Sequence, residues 1–556
     1  MYVNSFLRPN SNIVVVMDYP SVRDAECGDL ASSHSIRFLC DEFRKVGIDT
    51  SRVSFYQVLD EPLRGADLAD EYFATTKADK AHATNYNGIY IKDVVKHDLE
   101  RLDKFLLDVK PKVILCMSRL LLAYAFGGNS LHSFRGSMMD YLDMNVVITS
   151  DLYALYKDES LSMSWRADLD KLCRGLTENF AEGLSEFNIT ICPTFAECQN
   201  FFEGLLAEAD LPHVKRVKVA FDVETRGGFI SVAGFATSAR DAFVIPFIDT
   251  EGLSYWTAHE ELCIVKWMKE LLGHPKVKRA LQNGQYDKQY MVSVYGIDFD
   301  IDIDTMIEAH MLFTKGQQLS LSFLSSMFCS FYRYWKEDGK DFHKSFQSEE
   351  DYISYQRYNG YDCCYTFECA EVIPQAVRKN VNPFVYQMQR RMQNIVTKPV
   401  MRGLRFDKAK QQKWRAEHEA LKRSYESWLN YMIPDQIVTK QGAAAWWDSP
   451  AKMSHLFYVQ FGLEPVLDKK TKRPTTSDAA LVELGKQEPI LKPIFDILRD
   501  YRSLSKTLDS YLAAKPSPSD GRMRTQYMLA GTDTFRLASK IDAFGYGLNL
   551  QNLTKG

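Results

Sequence analysis

The sequence of 556 residues lacks several patterns that would define its class at once. Its eleven cysteines include no C-x-x-C pair, and only Cys363 and Cys364 are adjacent. This argues against an iron–sulfur cluster or a zinc ribbon and is typical of reduced thiols in a cytosol. No run of about 18 apolar residues occurs, and the chain does not start with an apolar signal core. These absences predict a cytoplasmic enzyme or binding protein that has no membrane partner.

An excess of charge of one sign is also missing. The chain has 68 basic and 72 acidic residues, so its net charge is −4, and a nucleic-acid surface would have to be a local basic stripe. Hydrophobic residues make up 46% and charged residues 25%, as in an ordinary globular protein. The length predicts roughly two to four domains. Internal repeats and low-complexity segments are absent from the sequence.

The order of apolar and polar segments predicts three modules. Between Ile13 and about Ser185, "NIVVVMD" and "KPKVILCM" have the pattern of buried strands, and "SHSIRFLCDEFRKVG" that of a helix ended by Gly47. This alternation indicates an α/β layer domain. Paired strands begin at "KVAFDVET" and continue through "FISVAGFAT" and "AFVIPFID". From about Asn382 onward the sequence is charged and helical in pattern.

Acidic residues recur at helical or strand spacing in the middle module. Asp222 and Glu224 are two residues apart at the end of an apolar strand, so their side chains should share one face. Asn283 and Asp287 are four apart, on one face of a starting helix. A lone D-x-E pair also occurs at solvated strand ends, and the pair alone does not decide between the two interpretations.

A third element adds Tyr358 and Asp362, again four residues apart on a predicted helix. Four acids from three separated elements can hold two divalent cations through hard oxygen ligands. Two such cations, about 4 Å apart, activate a water molecule and stabilise the leaving oxygen in phosphodiester hydrolysis. The middle module is therefore a candidate two-metal centre.

The D-x-E strand, "QNGQYD" and "YNGYD" resemble, in order and spacing, the three motifs of proofreading 3′–5′ exonucleases of the DnaQ-like, RNase H-like superfamily. "DIDTMIEAHML", from Asp302 to Leu312, resembles the segment between the second and third motifs in family A DNA polymerases. The resemblance implies that two Mg²⁺ or Mn²⁺ ions are held by four acids and that a tyrosine positions the attacking water. In this sequence the acids are Asp222, Glu224, Asp287 and Asp362, and the tyrosine is Tyr358.

The end of the chain resembles the thumb of family A DNA polymerases and the start of the following segment. Thr532, Thr534, Arg536, Leu537 and Ser539 match the family's Thr-x-Thr-Gly-Arg-Leu-Ser-Ser element, with Phe535 at the usual Gly and Ala538 at the first usual Ser; "NLQN" follows. Arginine and lysine on one helix face would contact DNA phosphates. The residues expected to contact DNA are Asn283, Arg502, Lys506, Thr532, Arg536, Asn549, Gln551 and Asn552.

The sequence has no later equivalent of the family's Asp-Tyr-Ser and His-Asp-Glu motifs. We therefore expect this chain to lack a complete polymerase site. Two explanations stay open: a second polypeptide that carries the palm and fingers, or a piece of a longer protein.

The first module resembles the uracil-DNA glycosylase superfamily over roughly residues 10–180. Met17-Asp18-Tyr19-Pro20-Ser21 stands where that family has Gly-Glu-x-Pro-Gly, and Asp151-Leu152 stands where it has His-Pro. A glycosylase must flip a base into a pocket and polarise it, and the expected groups are replaced here. We therefore expect a catalytically silent domain that binds DNA or a replication partner.

The resulting prediction is a mixed α/β multidomain protein. It comprises a glycosylase-like α/β layer domain at 1–185, an RNase H-like exonuclease domain with a mixed sheet at 186–380, and a mainly helical thumb region at 381–556. The predicted reaction is proofreading hydrolysis of 3′-terminal phosphodiesters, with primer–template DNA and single-stranded 3′ ends as partners. Two alternatives remain, a non-catalytic subunit that clamps DNA and an RNase D-like exonuclease that acts on RNA.

Overall fold

The structure is a computed structural model, and it describes residues 7–8, 10–27, 33–63, 68–183, 187–313, 317–336, 346, 348–440 and 442–552. The chain divides into two compact units, Met1–Asn394 and Ile395–Gly556. Among the described residues, no helix has both the length and the apolar character that crossing a membrane requires. The module boundaries at 185 and 380 remain predictions.

The N-terminal layer of the first unit is built from short, buried strands and surrounding helices. Its strands are β1 Ile13–Met17, β2 Val53–Gln57, β3 Ala83–Tyr86, β4 Ile89–Lys92, β5 Val113–Met117, β6 Met138–Tyr141 and β7 Met144–Ile148. Its helices are α1 Val22–Glu26, α2 His34–Lys45, α3 Leu68–Tyr72, α4 Lys96–Val109, α5 Arg119–Phe126, α6 Leu131–Phe134, α7 Leu152–Lys157, α8 Ser162–Arg174 and α9 Phe180–Gly183.

Five of these strands form one sheet in the order β2-β1-β5-β7-β6, in which only β6 runs antiparallel to its neighbour. β3 and β4 form a separate antiparallel pair. All five residues of β1 are buried, with Val14 and Val16 in the core on one face and Val15 in the core on the other. Helices cover both faces of a parallel sheet, so such a strand has a continuous apolar run, and the predicted strands are confirmed.

The predicted helix before Gly47 is also confirmed. The side-chain oxygen of Ser33 accepts from the Ile36 backbone N–H at the start of α2. The helix ends at Lys45, and Gly47 follows in a left-handed conformation with φ 81°.

A second sheet of six strands lies in the same unit. Its strands are β8 Asn188–Thr190, β9 Val217–Arg226, β10 Phe229–Ala236, β11 Asp241–Pro246, β12 Val277–Leu281 and β13 Ile303–Asp304. The accompanying helices are α10 Phe195–Asp210, α11 Ala258–Gly273, α12 Gln285–Tyr295, α13 Thr305–His310, α14 Leu321–Phe328 and α15 Glu349–Asn380. The next helix, α16 Pro383–Arg402, begins in the first unit and ends in the second.

The order in this sheet is β13-β12-β9-β10-β11-β8, with β10 antiparallel to its neighbours β9 and β11 and the other pairs parallel. The predicted paired strands and mixed sheet are therefore present. The long helix α15 packs across β9, β10 and β11. A central strand and a covering helix can thus present side chains to one another.

A buried polar cluster, called the seam below, joins the N-terminal layer to helix α14. Arg135 Nη1 lies 2.7 Å from Asp168 Oδ1, and the same guanidinium donates to the hydroxyl of Ser326. Lys171 Nζ donates to the carbonyl oxygens of Gly136 and Ser326, each at 2.6 Å. The N-terminal layer is therefore held against α14 by side chains of Arg135 and Lys171 that have little access to water.

The second unit is mainly helical, as the charged and periodic sequence predicts. It contains α17 Lys408–Met432, α18 Pro450–His455, α19 Asp478–Gln487, α20 Lys492–Lys506 and the antiparallel pair β14 Gln526–Met528 and β15 Ala538–Lys540. Its core is centred on Trp446, Phe457, Phe495 and Leu498.

Short helical turns complete both units. Narrow 3₁₀ turns occur at Thr50–Arg52, Asp79–His82, Asp93–Val95, Glu159–Leu161, Asp435–Ile437, Trp446–Asp448, Pro489–Leu491 and Leu550–Asn552, and wider π turns at Leu456–Gln460 and Thr507–Tyr511.

Candidate exonuclease centre

Two carboxylates of the centre come from the middle of the second sheet. Asp222 and Glu224 lie opposite Gly234 and Val232 of β10. They stand within β9, which continues to Arg226, so the prediction that they end the strand is wrong. The strand extends further because β10 pairs with it almost to the hairpin. The prediction that the two side chains share a face is confirmed, because an oxygen of each lies within 4.8 Å of an oxygen of Asp362 on α15.

The third carboxylate comes from α15, where Asp362 lies one turn after Tyr358. The predicted helix is present and is long, and the Ser348 side chain caps its start by accepting from Asp351 N–H. Asp362 is buried. One oxygen from each of Asp222, Glu224 and Asp362 lies within 4.8 Å of the other two. These hard oxygen donors fit a divalent cation such as Mg²⁺.

Asp287 occupies a different place in the centre. Its Oδ1 accepts from the backbone N–H of Val223 at 3.0 Å, between the two acids of β9, and its side chain is buried. It lies outside the group of three oxygens described above. The fourth predicted acid therefore borders the cluster and fixes α12 against β9.

Asn283 does not share a helical face with Asp287. It precedes α12, whose first residue is Gln285, and it has a left-handed φ of 57°. Asp304 explains this turn, because its Oδ1 accepts from Asn283 N–H at 3.2 Å and its Oδ2 from Gly284 N–H at 2.9 Å. Asparagine tolerates this conformation better than most residues do.

The prediction from sequence missed three side chains that contact the carboxylates. The Asn359 amide donates to Asp222 Oδ2 at 2.7 Å, and Trp335 Nε1 donates to Asp362 Oδ1 at 2.6 Å. Lys336 Nζ lies 2.7 Å from Asp362 Oδ1 and 2.5 Å from Oδ2. Asn359 stands inside the "YNGYD" motif and could have been found by its spacing from Asp362. Trp335 and Lys336 precede Asp362 by 27 and 26 residues in an irregular segment, which no periodicity marks.

Burial and mutual repulsion raise the pKa of Asp222 and Glu224. Loss of hydration raises the pKa of Asp222 well above its ordinary value, and the nearby charges of Asp287, Glu224 and Asp362 add to the effect. The pKa of Glu224 rises to about 8, first through burial and then through Asp362. Lys336 opposes both shifts. Crowded buried carboxylates of this kind are stabilised when a cation binds between them.

Tyr358 faces the same cluster from α15. Its hydroxyl oxygen accepts from Lys336 Nζ at 2.7 Å, and the ammonium group lies 4.4 Å from the centre of its ring. Burial, followed by the charge of Asp362, raises the pKa of the phenol, so the hydroxyl keeps its proton. It can orient a polar group at the centre but does not serve as a phenolate.

Two of the predicted DNA contacts lie four residues apart on α20. Arg502 donates to the carbonyl oxygen of Thr476 at 2.6 Å and lies 3.3 Å from Asp478 Oδ1, so its guanidinium is engaged within the second unit. Lys506 is exposed at the end of the helix. Lys506 is thus more accessible than Arg502, which is half-buried and hydrogen-bonded.

The remaining predicted contacts lie around β15. Thr532 Oγ1 donates to the Arg536 carbonyl oxygen at 2.7 Å, and Arg536 is exposed. Phe535, at the position where the family has glycine, has φ 57°, a left-handed conformation that glycine adopts most easily. The turn therefore keeps a glycine-like backbone.

The last three predicted contacts follow in the chain. Asn549 Oδ1 accepts from Ser539 Oγ at 2.5 Å, and Gln551 is exposed. The side chain of Asn552 lies outside the described part of the structure, as do residues 553–556.

The N-terminal layer contains a cavity of about 1080 Å³ beside the ends of β1, β2 and β5, bordered by Asp18 and Asp151. Both acids are used as helix caps. Asp18 Oδ1 accepts from Ser118 Oγ at 2.6 Å and its Oδ2 from Arg119 N–H at 2.9 Å. Asp151 Oδ1 accepts from Ala154 N–H at 2.8 Å.

Comparison with known proteins shows which family the middle of the chain resembles. Residues 196–377 match the family model of the DNA polymerase A exonuclease, described as "3'-5' exonuclease". Over 109 residues the chain is 36% identical to DNA polymerase I of Pseudomonas aeruginosa, covering 19% of this chain and 11% of that protein. It is 23% identical to DNA polymerase I of Synechocystis sp. over 309 residues, covering 51% of this chain and 28% of that protein.

A third curated relative, DNA polymerase I of Caldicellulosiruptor bescii, is 31% identical over 147 residues, which cover 25% of this chain and 16% of that protein. The chain thus spans less than a third of the length of each of these relatives. A solved structure, the POL domain of Pol1 from M. smegmatis in complex with DNA primer-template and dNTP, aligns with a TM-score of 0.46 at 16% identity, over 66% of this chain and 56% of that one. The chain is therefore similar to family A DNA polymerases and carries the exonuclease domain of DNA polymerase I-like proteins.

Proposed function

We propose that this chain is the proofreading part of a replicative, phage-type family A DNA polymerase, and that it removes nucleotides one at a time from DNA 3′ ends. The observation that carries the proposal is the group formed by Asp222, Glu224 and Asp362, whose oxygens lie within 4.8 Å of one another. This group falls inside the segment that matches the 3′–5′ exonuclease family. The product would be a deoxynucleoside monophosphate.

The donor set fits a divalent cation, and in this proposal two such cations, Mg²⁺ or Mn²⁺, would be held by Asp222, Glu224 and Asp362 with Asp287 at the border. When bound, such cations supply an activated water and stabilise charge on the leaving 3′ oxygen. The protein's own groups set the geometry. Asn359 holds Asp222, Trp335 holds Asp362, and the Val223 N–H holds Asp287. The protonated Tyr358 hydroxyl orients the water through a hydrogen bond.

Single-stranded 3′ ends are the preferred substrate in this proposal. Tyr286 is half-buried and lies near Glu224, with its hydroxyl group 2.6 Å from Thr225 Oγ1. Aromatic side chains stack on unpaired bases without strong sequence preference. An end that frays at a mismatch would therefore be removed faster than a paired end.

The second unit would contact the phosphate backbone of primer–template DNA. Lys506 and Arg536 are exposed and carry positive charge, whereas Arg502 is held by Thr476 and Asp478. We expect Lys506 and Arg536 to contribute most to a salt-dependent affinity. Thr532, Asn549, Gln551 and Asn552 belong to the same proposed surface, and Asn283 to the exonuclease side.

The N-terminal layer is proposed to be glycosylase-like and catalytically silent. At the position of the family's first motif, both oxygens of Asp18 accept hydrogen bonds from the start of α5. Asp18 is therefore committed to capping a helix. Release of uracil from a uracil-containing oligonucleotide would contradict this part of the proposal.

The proposed exonuclease is tested with a 5′-labelled primer on a longer template, incubated with Mg²⁺ or with EDTA. We expect shortening that requires the cation and disappears in Asp222→Ala. With the four dNTPs present we expect no extension, because the sequence has no equivalent of the Asp-Tyr-Ser motif.

Matched DNA and RNA strands separate the alternatives. Faster shortening of RNA would favour an RNase D-like enzyme. Binding of DNA without shortening of either strand would favour a non-catalytic clamp and overturn the proposal.

A further inference from the structure

The side chain of Lys336 lies against the carboxylate cluster. Its ammonium group contacts both oxygens of Asp362, at 2.7 and 2.5 Å, and the Tyr358 hydroxyl at 2.7 Å. Its charge also acts on Asp222 and Glu224. The side chain retains only 24% of its exposure to solvent. A positive charge of the protein itself therefore stands beside the group that fits a divalent cation.

The segment Cys329–Lys336 is held from the side of α15. The Ser330 N–H donates to Glu368 Oε1 at 2.7 Å, and the Trp335 ring stacks on Tyr365 with centroids 4.3 Å apart. Trp335 precedes Lys336 directly and is itself bonded to Asp362. These contacts limit where Lys336 can reach.

The N-terminal layer holds the same segment from the other side. Met138 N–H, on the edge strand β6, donates to the Tyr332 carbonyl oxygen at 2.7 Å. The Tyr334 N–H donates to Ser137 Oγ at 3.1 Å, and its ring lies 4.8 Å from that of Phe134. The position of Lys336 thus results from contacts on two sides of the seam.

A divalent cation needs the lone pairs that Lys336 now uses. Both oxygens of Asp362 accept from Lys336, and Oδ1 also accepts from Trp335. An ammonium group and a divalent cation repel each other strongly at this distance in a poorly hydrated site. Binding of a divalent cation to Asp362 is therefore opposed by the ammonium group and becomes easier when that group moves away.

We propose that Lys336 is a resident cation of the centre that competes with a divalent cation for Asp362. This inference rests on the proposed metal-dependent exonuclease. Loading of the centre requires the ammonium group to leave Asp362, so Lys336 raises the cation concentration at which loading occurs. Lys336 is a positioning residue in this scheme, because it acts through Asp362.

The test measures Mn²⁺ binding to the full chain without DNA, by the electron paramagnetic resonance signal of free Mn²⁺. We expect Lys336→Met to bind Mn²⁺ about tenfold more tightly than the wild type, since one competing charge is gone. Lys336→Arg should restore weak binding, because it keeps the charge. Lys336→Gln, which keeps a donor for Tyr358, serves if the methionine variant fails to fold.

Lys218→Met is the matched control. Lys218 has a similar exposure of 23%, pairs with Glu371 at 3.1 Å and lies over the ring of Phe367, yet it is not among the groups that act on the cluster. Its removal should leave Mn²⁺ affinity unchanged. The gain of Lys336→Met should vanish when Asp362→Asn is added.

Equal Mn²⁺ affinity of the wild type and folded Lys336→Met would overturn the inference and leave the proposed exonuclease standing. A gain of the same size in Lys218→Met would also overturn it, because the effect would then be one of net charge. Absence of Mn²⁺ binding in both the wild type and Lys336→Met would overturn the proposed function and this inference together.

Discussion

The side-chain amide of Asn359 on α15 donates to Asp222 Oδ2 on β9 across 2.7 Å, and Asn359 is fully buried. This hydrogen bond fixes the orientation of one carboxylate of the centre. Space for it exists because Gly234 stands opposite Asp222 in β10. A Cβ atom at Gly234 would overlap Asn359 Oδ1 and lie 2.7 Å from Cys363 Sγ.

We therefore expect Gly234→Ala to lower exonuclease activity about tenfold or more and to reduce the free energy of unfolding by about 1–3 kcal/mol. Asn359 has to move away from Asp222 to accept the extra methyl group. Primer shortening and urea denaturation measure the two effects. Gly204→Ala on α10, where a Cβ meets nothing within 4 Å, should leave activity intact. Full activity of Gly234→Ala would show that the Asn359 contact is dispensable.

Trp335→Phe tests the hydrogen bond to Asp362. Phenylalanine retains a ring that can stack on Tyr365 but lacks the indole N–H that lies 2.6 Å from Asp362 Oδ1. Loss of a hydrogen bond to a charged group should lower kcat by about tenfold. KM for a single-stranded oligonucleotide should stay the same, because Trp335 acts on the carboxylate. A change confined to KM would place Trp335 at the DNA surface instead.

The buried pair Arg135 and Asp168 should be costly to break singly. Arg135→Met leaves a carboxylate without its main partner in the interior and should reduce the free energy of unfolding by about 3–5 kcal/mol. Adding Asp168→Leu removes the orphaned charge and should restore at least half of that loss. Urea denaturation of the full chain measures both variants. A double variant no more stable than the single one would mean that the seam depends on the charges themselves.

Glu308 should give the fold a specific dependence on pH. Burial raises the pKa of Glu308 from 4.5 to about 7, against the opposing charge of Arg390. The folded state then binds more protons than the unfolded state between these two pH values, so stability falls as pH rises through this range. The loss from this residue amounts to about 3 kcal/mol.

Glu308→Gln, which resembles the protonated form, should flatten that part of the curve. Unfolding free energies at pH 5 and pH 8 measure the difference between the variant and the wild type. Asp500→Asn on α20, which removes an exposed carboxylate, serves as the control and should not change the slope. An identical slope in Glu308→Gln would assign the pH dependence to other buried acids.

Local patterns were sufficient to predict most of the secondary structure and the three carboxylates that the structure brings together. The apolar run of β1, the alternation of Asp222 and Glu224, and the spacing of Tyr358 and Asp362 all depend on neighbours in the chain. Such patterns survive folding because strand and helix periodicity decide which face a side chain occupies. The position of Asp222 in mid-strand depended instead on pairing with β10, which no local pattern reveals.

The missed groups depend on contacts between distant segments. Trp335 and Lys336 reach Asp362 from an irregular segment whose course is set by Tyr365 on one side and Met138 on the other. The spacing of Asn283 from Asp287 predicts a helix. In the structure the Asn283 N–H donates to Asp304 Oδ1, and the Asn283 backbone has a left-handed conformation. Tertiary contacts overrode local preference in both cases.

The hydrogen bond from Met138 on the sheet edge to Tyr332 restricts how this chain can be recombined. A chimaera that replaces the N-terminal layer with an unrelated domain would leave the Tyr332 carbonyl oxygen without Met138 N–H and the Ser326 hydroxyl without Arg135. Exchange at the junction between residues 183 and 187 would therefore disturb the segment that ends at Lys336. We expect the layer and the exonuclease domain to be exchangeable only together, and Ser137→Ala, which removes the hydroxyl that accepts from Tyr334 N–H, to weaken the proposed exonuclease at a distance from the carboxylates.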